Sequence, residues 1–146
     1  MKQLQRYLFW ILSRTALVVY SRFPVFGRVR GSVGIIRNKD AFLVIERNDG
    51  RGISFPGGLT FPWETAEQSA LREIREETGL TVTKSVLQSS YYSEEEIPLN
   101  LSVFEIEAEG EPRASWEGTP RWVLLPELRA RILPSQRPII ETLNQR

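Results

Sequence analysis

The stretch REIREETG, residues 72 to 79, sets three glutamates and two arginines into eight positions. On a helix, residues three and four apart are neighbours, so Glu73, Glu76 and Glu77 form one cluster on one edge, turned away from Leu71 and Ile74. Arg72 lies four positions before Glu76 and can brace it. One arginine does not neutralise three carboxylates. A solvated face laced with Glu–Arg pairs is one account of the crowding. A bound hard cation is the other, since Mg²⁺ takes oxygen ligands and often needs only one or two carboxylates plus substrate phosphates.

Working outward, Thr65 can cap the N-terminus of a helix that runs to Thr78, and Gln68 three positions on completes a capping box. Ala70, Leu71 and Ile74 supply the core-facing stripe, and Gly79 is the expected stop. Upstream, from Arg28, VRGSVGIIR and AFLVIER are rich in β-branched residues and flank the turn-like Asn38-Lys39-Asp40. NDGRG (48–52) reads as a loop, and FPGG (55–58) with Pro62 as further punctuation. Downstream, strands are expected near Thr81–Tyr92 and Leu99–Ala108, and a short one at Trp122–Leu125 after a loop. Two short helices close the chain, around Glu127–Arg131 and Arg137–Leu143. Strands mixed with helices in one small unit mean α/β or α+β layering.

Composition narrows the chemistry. The chain has 146 residues, 41% hydrophobic and 25% charged, with a formal net charge of +1. That balance gives no broad basic surface for generic nucleic-acid binding. There is no Cys and no His. Thiol nucleophiles, disulfides, zinc sites of His and Cys, Ser-His-Asp triads and histidine bases are therefore excluded. Proton transfer must rest on carboxylates, Lys, Tyr or metal-activated water, and the carboxylates are best placed. The absence of Cys fits a reducing, cytoplasmic setting.

The first 27 residues differ from the rest. Tyr7 to Leu12 and Ala16 to Tyr20 are apolar runs split by Ser13-Arg14-Thr15. Neither approaches the ~20 residues that span a bilayer. As a helix, Leu4, Leu8, Ile11, Thr15, Val18 and Val19 share a face, while Phe9, Trp10 and Leu17 make the other side apolar too. Packing on protein, the same domain or a second subunit in a homodimer, is the favoured covering. An interfacial membrane helix, supported by Lys2, Arg6, Arg14 and Arg22, is the alternative. A signal peptide is the weakest reading, because Arg14 splits the apolar core and no small-residue cleavage site stands out. Residues 1–27 are thus read as a helical extension and 28–146 as the folded domain.

The wider pattern around the glutamates resolves the opening ambiguity. Gly58, five residues, Glu64, seven residues, then Arg72-Glu73-Ile74-x-Glu76-Glu77-x-Gly79-Leu80 resembles the Nudix box of the Nudix hydrolases. With nine constraints across 23 residues, it is far more specific than a short glycine motif. Gly34 to Asn38, Phe55 to Gly58, Glu117 to Pro120 and Leu133 to Pro138 extend the likeness to MutT-type members, over roughly residues 30 to 143.

The resemblance implies an α/β/α sandwich around a mixed sheet, with an extra N-terminal helix here. It implies hydrolysis of a diphosphate linkage in a nucleoside diphosphate-X or nucleoside triphosphate, with Mg²⁺ or Mn²⁺. Glu76, Glu77 and the Gly57 carbonyl would be direct metal ligands. Glu73 would bind through water or act as general base, and Arg72 would orient the carboxylates. Glu64 would hold the loop before the helix and assist the metal, and Glu117 would complete the metal site. Arg47 would lie near the phosphates, and Gln136 at the base.

The sequence departs from the family in the loop, where Phe61 and Trp63 replace a usual glutamate and glycine. These aromatics are expected to line the substrate pocket. SEEE (93–96) reads as a solvated acidic loop. ADP-ribose, dinucleotide polyphosphates, coenzyme A and capped RNA stay open as substrates, and a non-catalytic regulatory module is the reading from another class.

Overall fold

The structure is a computed structural model that describes residues 2–22 and 29–143. The expected strand onset at Arg28, and the division between residues 27 and 28, lie outside the described residues.

Two core clusters show how the layers form. Strand β1 (Val29–Asn38) sends Val33 and Ile35 to one face and Ile36 to the other, the period-two alternation of a sheet buried on both sides. Strand β2 (Ala41–Arg47) does the same, with Phe42 and Val44 opposite Leu43. On the first face these side chains meet helices α3 (Leu125–Arg131) and α4 (Arg137–Leu143) through Leu128, Ile139 and Ile140. On the second they meet helix α2 (Ala66–Thr78) through Ala70 and Ile74. This is the expected α/β/α sandwich.

The sheet is mixed. Strands β3 (Ile53–Ser54), β4 (Gly57–Leu59), β5 (Thr81–Ser93), β6 (Leu99–Glu109) and β7 (Gly118–Leu124) complete it. β1 runs parallel to β6, from Val29 opposite Leu99 to Ile36 opposite Ile106. The remaining pairings are antiparallel: β1 with β2 and β4, β2 with β3 and β7, and β5 with β6. The last strand starts earlier than expected. Thr119 and Pro120 belong to it, and proline is tolerated because β7 pairs only with β2. Pro126 then sits in the first turn of α3, which begins at Leu125 rather than Glu127.

Helix α2 is fixed at both ends and along one face. Thr65 accepts from the Gln68 N–H, and the Gln68 side chain accepts from the Thr65 N–H, the reciprocal box read from sequence. Gly79 ends the helix in the left-handed conformation, φ 74°. Of the expected stripe, Ala70 and Ile74 are fully buried and Leu71 only half-buried. Close approach to the sheet rests on Gly34, where an added Cβ would lie 2.6 Å from the Ile74 side chain and 2.9 Å from Ile106.

Helix α1 (Lys2–Arg22) forms as expected, but the domain does not cover it. Phe9 is its buried large side chain, packed edge-on against Trp116 with ring centroids 4.6 Å apart. Leu4, Leu8, Leu12 and Val19 remain exposed.

Two substitutions probe the seating of α2 by urea denaturation. Ile74→Ala should cost about 2–5 kcal/mol, because a buried side chain leaves a cavity. Thr65→Ala should cost about 1 kcal/mol through loss of the cap.

Candidate active site

The site grows from the β4–α2 connection. β4 pairs with β1 through Gly57 opposite Val33 and Gly58 opposite Ser32, which fixes the glycines at the edge of a 520 Å³ cavity. The chain then turns through Thr60 to Thr65 into α2. Arg30 of β1 donates to the carbonyls of Phe61 and Glu64 at 3.2 and 3.4 Å and holds that turn to the sheet.

Arg72 is the hub. Its guanidinium forks onto Glu64, with Nη2 2.7 Å from Oε1 and Nε 3.1 Å from Oε2. Nη1 donates to Glu73 at 2.7 Å and to Glu76 at 3.2 Å, and Nη2 also reaches the Leu59 carbonyl at 3.0 Å. The ring of Phe61 covers the guanidinium, 4.2 Å from its carbon. Such forked, charge-assisted bonds fix geometry as well as charge. Glu64 answers by accepting from the Phe61 N–H at 2.8 Å, so the loop and the helix are tied through one side chain. Arg72 is the main reason the Glu64 carboxyl is held down at about 2.

The three clustered glutamates do not share one environment. Glu76 is exposed, whereas Glu73 and Glu77 are buried. The Glu73 carboxylate lies against the backbone of Gly58, where an added Cβ would meet its Oε1 at 2.6 Å. Glu77 accepts from the Gly57 N–H at 2.8 Å. Burial foremost, then the Glu117 charge, raises the Glu77 carboxyl well above its ordinary range. Burial likewise raises Glu73, against the pull of Arg72. Glu117, at the foot of β7, joins Glu73 on the cavity wall. Glu73, Glu77 and Glu117 thus repel one another across a small volume, with Arg72 engaging only Glu73 of the three. Among the described residues, no acidic trio already converges as a finished coordination shell.

The cavity has a second, cationic wall. Arg47 donates to Asp49 at 2.7 Å and Arg51 to the same carboxylate at 2.8 Å. Asp49 is fully buried, and both guanidiniums line the cavity. Two cations share one anion there, leaving a net positive charge facing inward. Burial raises the Asp49 carboxyl, but Arg47 and then Arg51 outweigh it and bring it to about 2, from the usual 3.8.

A third part is polar and neutral. Gln136 is buried in a 3-10 turn (Pro134–Gln136), and its side-chain oxygen accepts from the Phe55 N–H at 2.8 Å. Gln136 also lines the cavity. Glu96 lines the same region and accepts from the Ser135 N–H at 3.2 Å. Phe61 lines the cavity, while Trp63 stacks on Phe61 at 5.0 Å and stays 79% exposed. Phe9, Ser13 and Ala16 of α1 contribute to the opposite wall.

Of the residues singled out from sequence, Arg47, Gly57, Phe61, Glu73, Glu117 and Gln136 line the cavity, and Glu64, Arg72, Glu76 and Glu77 stand behind or beside it. Trp63, expected to line the pocket, does not: it stacks on the outer side of Phe61 and faces solvent. Asp49 and Arg51 were hidden in an apparent loop, NDGRG, and Glu96 in an apparent solvated acidic run. Repeated Arg within four residues of an Asp was the signal that could have exposed the first pair.

A family model described as the NUDIX domain matches residues 26–143. The 8-oxo-dGTP diphosphatase of Escherichia coli (strain K12) is 33% identical over 123 residues, covering 78% of this chain and 95% of that protein. YtkD of Bacillus subtilis (strain 168), provisionally named an 8-oxo-dGTP diphosphatase, is 50% identical over a 48-residue stretch that spans 33% of this chain and 30% of YtkD. The crystal structure of a MutT Nudix hydrolase from Burkholderia pseudomallei superposes with a TM-score of 0.70 at 22% identity, covering 78% of this chain and 96% of that one. The chain belongs to the Nudix family, as a MutT-like hydrolase acting on nucleotide phosphoanhydride bonds.

Two outcomes test the geometry. Gly58→Ala should push the Glu73 carboxylate aside and lower kcat by about 10²-fold, since a misplacement of about 1 Å costs that much. Its melting temperature should change little, because a flexible side chain can move. Asp49→Asn should destabilise by about 2 kcal/mol at pH 7, the linkage value of the drop from 3.8 to about 2. A carboxyl whose folded pKa is depressed stabilises above its unfolded value and loses that contribution as pH falls through the folded one. The wild-type excess over Asp49→Asn should therefore fade between pH 4 and pH 2 in acid-unfolding curves.

Proposed function

We propose that this protein hydrolyses a 6-oxopurine nucleoside triphosphate to the monophosphate and pyrophosphate, with Mg²⁺ or Mn²⁺ held by the carboxylates around Arg72. The observation that carries the reading is the cavity's division into an acidic wall, a cationic wall and a polar end. Family members use a divalent metal, and the residues present fit one. The donors are hard oxygens, and Glu73, Glu77 and Glu117 are mutually repelling groups that a small dication would reconcile. Glu76, Glu77, Glu117 and the Gly57 carbonyl would hold it, with Glu64 and Glu73 supporting. When bound, the cation screens phosphate oxygens and makes water more acidic.

The chain's own residues divide the remaining work. Glu73, packed on Gly58, takes a proton from the attacking water, a contribution typically of about 10²–10⁴-fold. Arg72 keeps the carboxylates in register by occupying the outward oxygens of Glu64, Glu73 and Glu76. Arg47 and Arg51 face the phosphates, pre-aligned by Asp49, and such guanidinium–phosphate contacts are directional. Phe61, braced by Trp63, closes one side. Gln136 offers amide donors and Glu96 an acceptor, which complements a base edge carrying both an oxo group and N–H donors. The names of the Escherichia coli and Bacillus subtilis relatives, both 8-oxo-dGTP diphosphatases, support a guanine-type base.

A panel of nucleoside triphosphates with Mg²⁺, read by released pyrophosphate, tests the substrate. Guanine nucleotides, 8-oxo-dGTP among them, should have the highest kcat/KM. Gln136→Leu should raise KM for them by about tenfold or more, as expected when a base partner is lost, and leave UTP unchanged. Equal turnover of all four ordinary bases by the wild type would contradict the base assignment. Glu77→Gln should abolish most turnover of every substrate while the protein stays folded by circular dichroism. Full activity in excess chelator would contradict the metal assignment.

A further inference from the structure

Helix α1 is docked by one edge and bare on another. Phe9, Ser13 and Ala16 line the catalytic cavity, and Phe9 packs on Trp116. At about 100° per residue these three fall within a sector of about 60°. Leu4, Tyr7, Leu8, Leu12, Val18 and Val19 are all exposed, and they fall within a separate sector of about 140°. The bare sector is not a scatter of surface residues, because Leu4, Leu8 and Leu12 follow one another along it at four-residue spacing and are 53–70% exposed. Trp10 and Tyr7 stack at its border, and Arg14 lies over the Trp10 ring at 5.4 Å.

We propose that this face of α1 docks the protein on an anionic lipid surface, with the helix lying in the plane of the interface. Charge selects this occupant. The segment 2–22 carries Lys2, Arg6, Arg14 and Arg22 and no acidic residue. Two copies of this segment would together carry eight cations and no carboxylate. An anionic headgroup layer supplies the missing charge, and the apolar sector enters the headgroup–acyl boundary beneath it. Among the described residues no helix is long and apolar enough to cross a membrane, so the helix lies on the surface rather than through it. Aromatic residues at the border of the apolar sector suit the same boundary. Because the opposite edge of α1 forms a wall of the cavity, docking sets the substrate cavity beside the lipid surface.

The test is co-sedimentation of the full-length protein with vesicles, alongside its mass in solution by light scattering. Vesicles of phosphatidylcholine containing phosphatidylglycerol should carry the protein down, and pure phosphatidylcholine vesicles should do so at least about tenfold less well. Raising salt from about 0.1 M to about 1 M, which shortens the screening length from about 10 Å to about 3 Å, should release much of it. Leu8→Asp combined with Leu12→Asp should abolish sedimentation while leaving melting temperature and nucleotide hydrolysis unchanged, since both side chains are exposed. Arg6→Glu with Arg14→Glu should weaken it at least about tenfold. Three results would overturn the proposal: no sedimentation with anionic vesicles at low salt, equal sedimentation with neutral ones, or a dimer that Leu8→Asp dissociates. The last result would assign the face to a second copy. None of these outcomes depends on which nucleotide is hydrolysed.

Discussion

One guanidinium organises the site. Arg72 pairs with Glu64 in the preceding loop, with Glu73 and Glu76 on its own helix, and with the Leu59 carbonyl at the end of β4. These groups come from three elements that would otherwise move independently. Packing of Phe61 over the guanidinium removes water from one side and strengthens each contact. The glutamates can crowd because this cation fixes their orientation, yet it leaves Glu77 and Glu117 unneutralised. The arrangement is electrostatically incomplete, which suits the proposed cation site.

The rest of the fold serves that placement. Gly34 lets α2 descend onto β1, so the carboxylates reach the level of β4. β2 and β7 bring Arg47 and Glu117 beside one another at the cavity, with Arg47 opposite Gly118 in register. The parallel pairing of β1 with β6 leaves the 3-10 turn and α4 to close the far end with Gln136. Helix α1 stands apart from this economy. It adds a cavity wall through one edge and keeps most of its apolar surface outside.

Features governed by local chemistry were legible in the sequence. The capping box at Thr65 and Gln68, the glycine stop at Gly79 and the alternation in AFLVIER depend on neighbours a few residues away, and each appears where the pattern placed it. The Nudix spacing from Gly58 to Leu80 identified the family for the same reason. What depends on distant packing was not legible. Glu73 and Glu77 looked like part of an exposed charged edge, because a helical period says nothing of the strand β4 that covers them. Asp49 lies in the loop read at NDGRG, but its burial beside Arg47 and Arg51 was not legible there. Pro120 fell in the loop expected before the last strand, since its place on β7 only appears once that strand has found its partner. The helix at the N-terminus was legible as a helix, and of the coverings read for it the structure addresses one, since the domain itself leaves most of that apolar surface exposed.

The central claim is that Arg72 holds a set of carboxylates in wait for a divalent cation. Its most direct test is a crystal of the protein soaked in Mn²⁺ and measured for anomalous scattering. The account predicts one strong peak among Glu76, Glu77 and Glu117, against the backbone of Gly57, with Arg72 still bound to Glu64. A peak elsewhere, or none at saturating Mn²⁺, would contradict it.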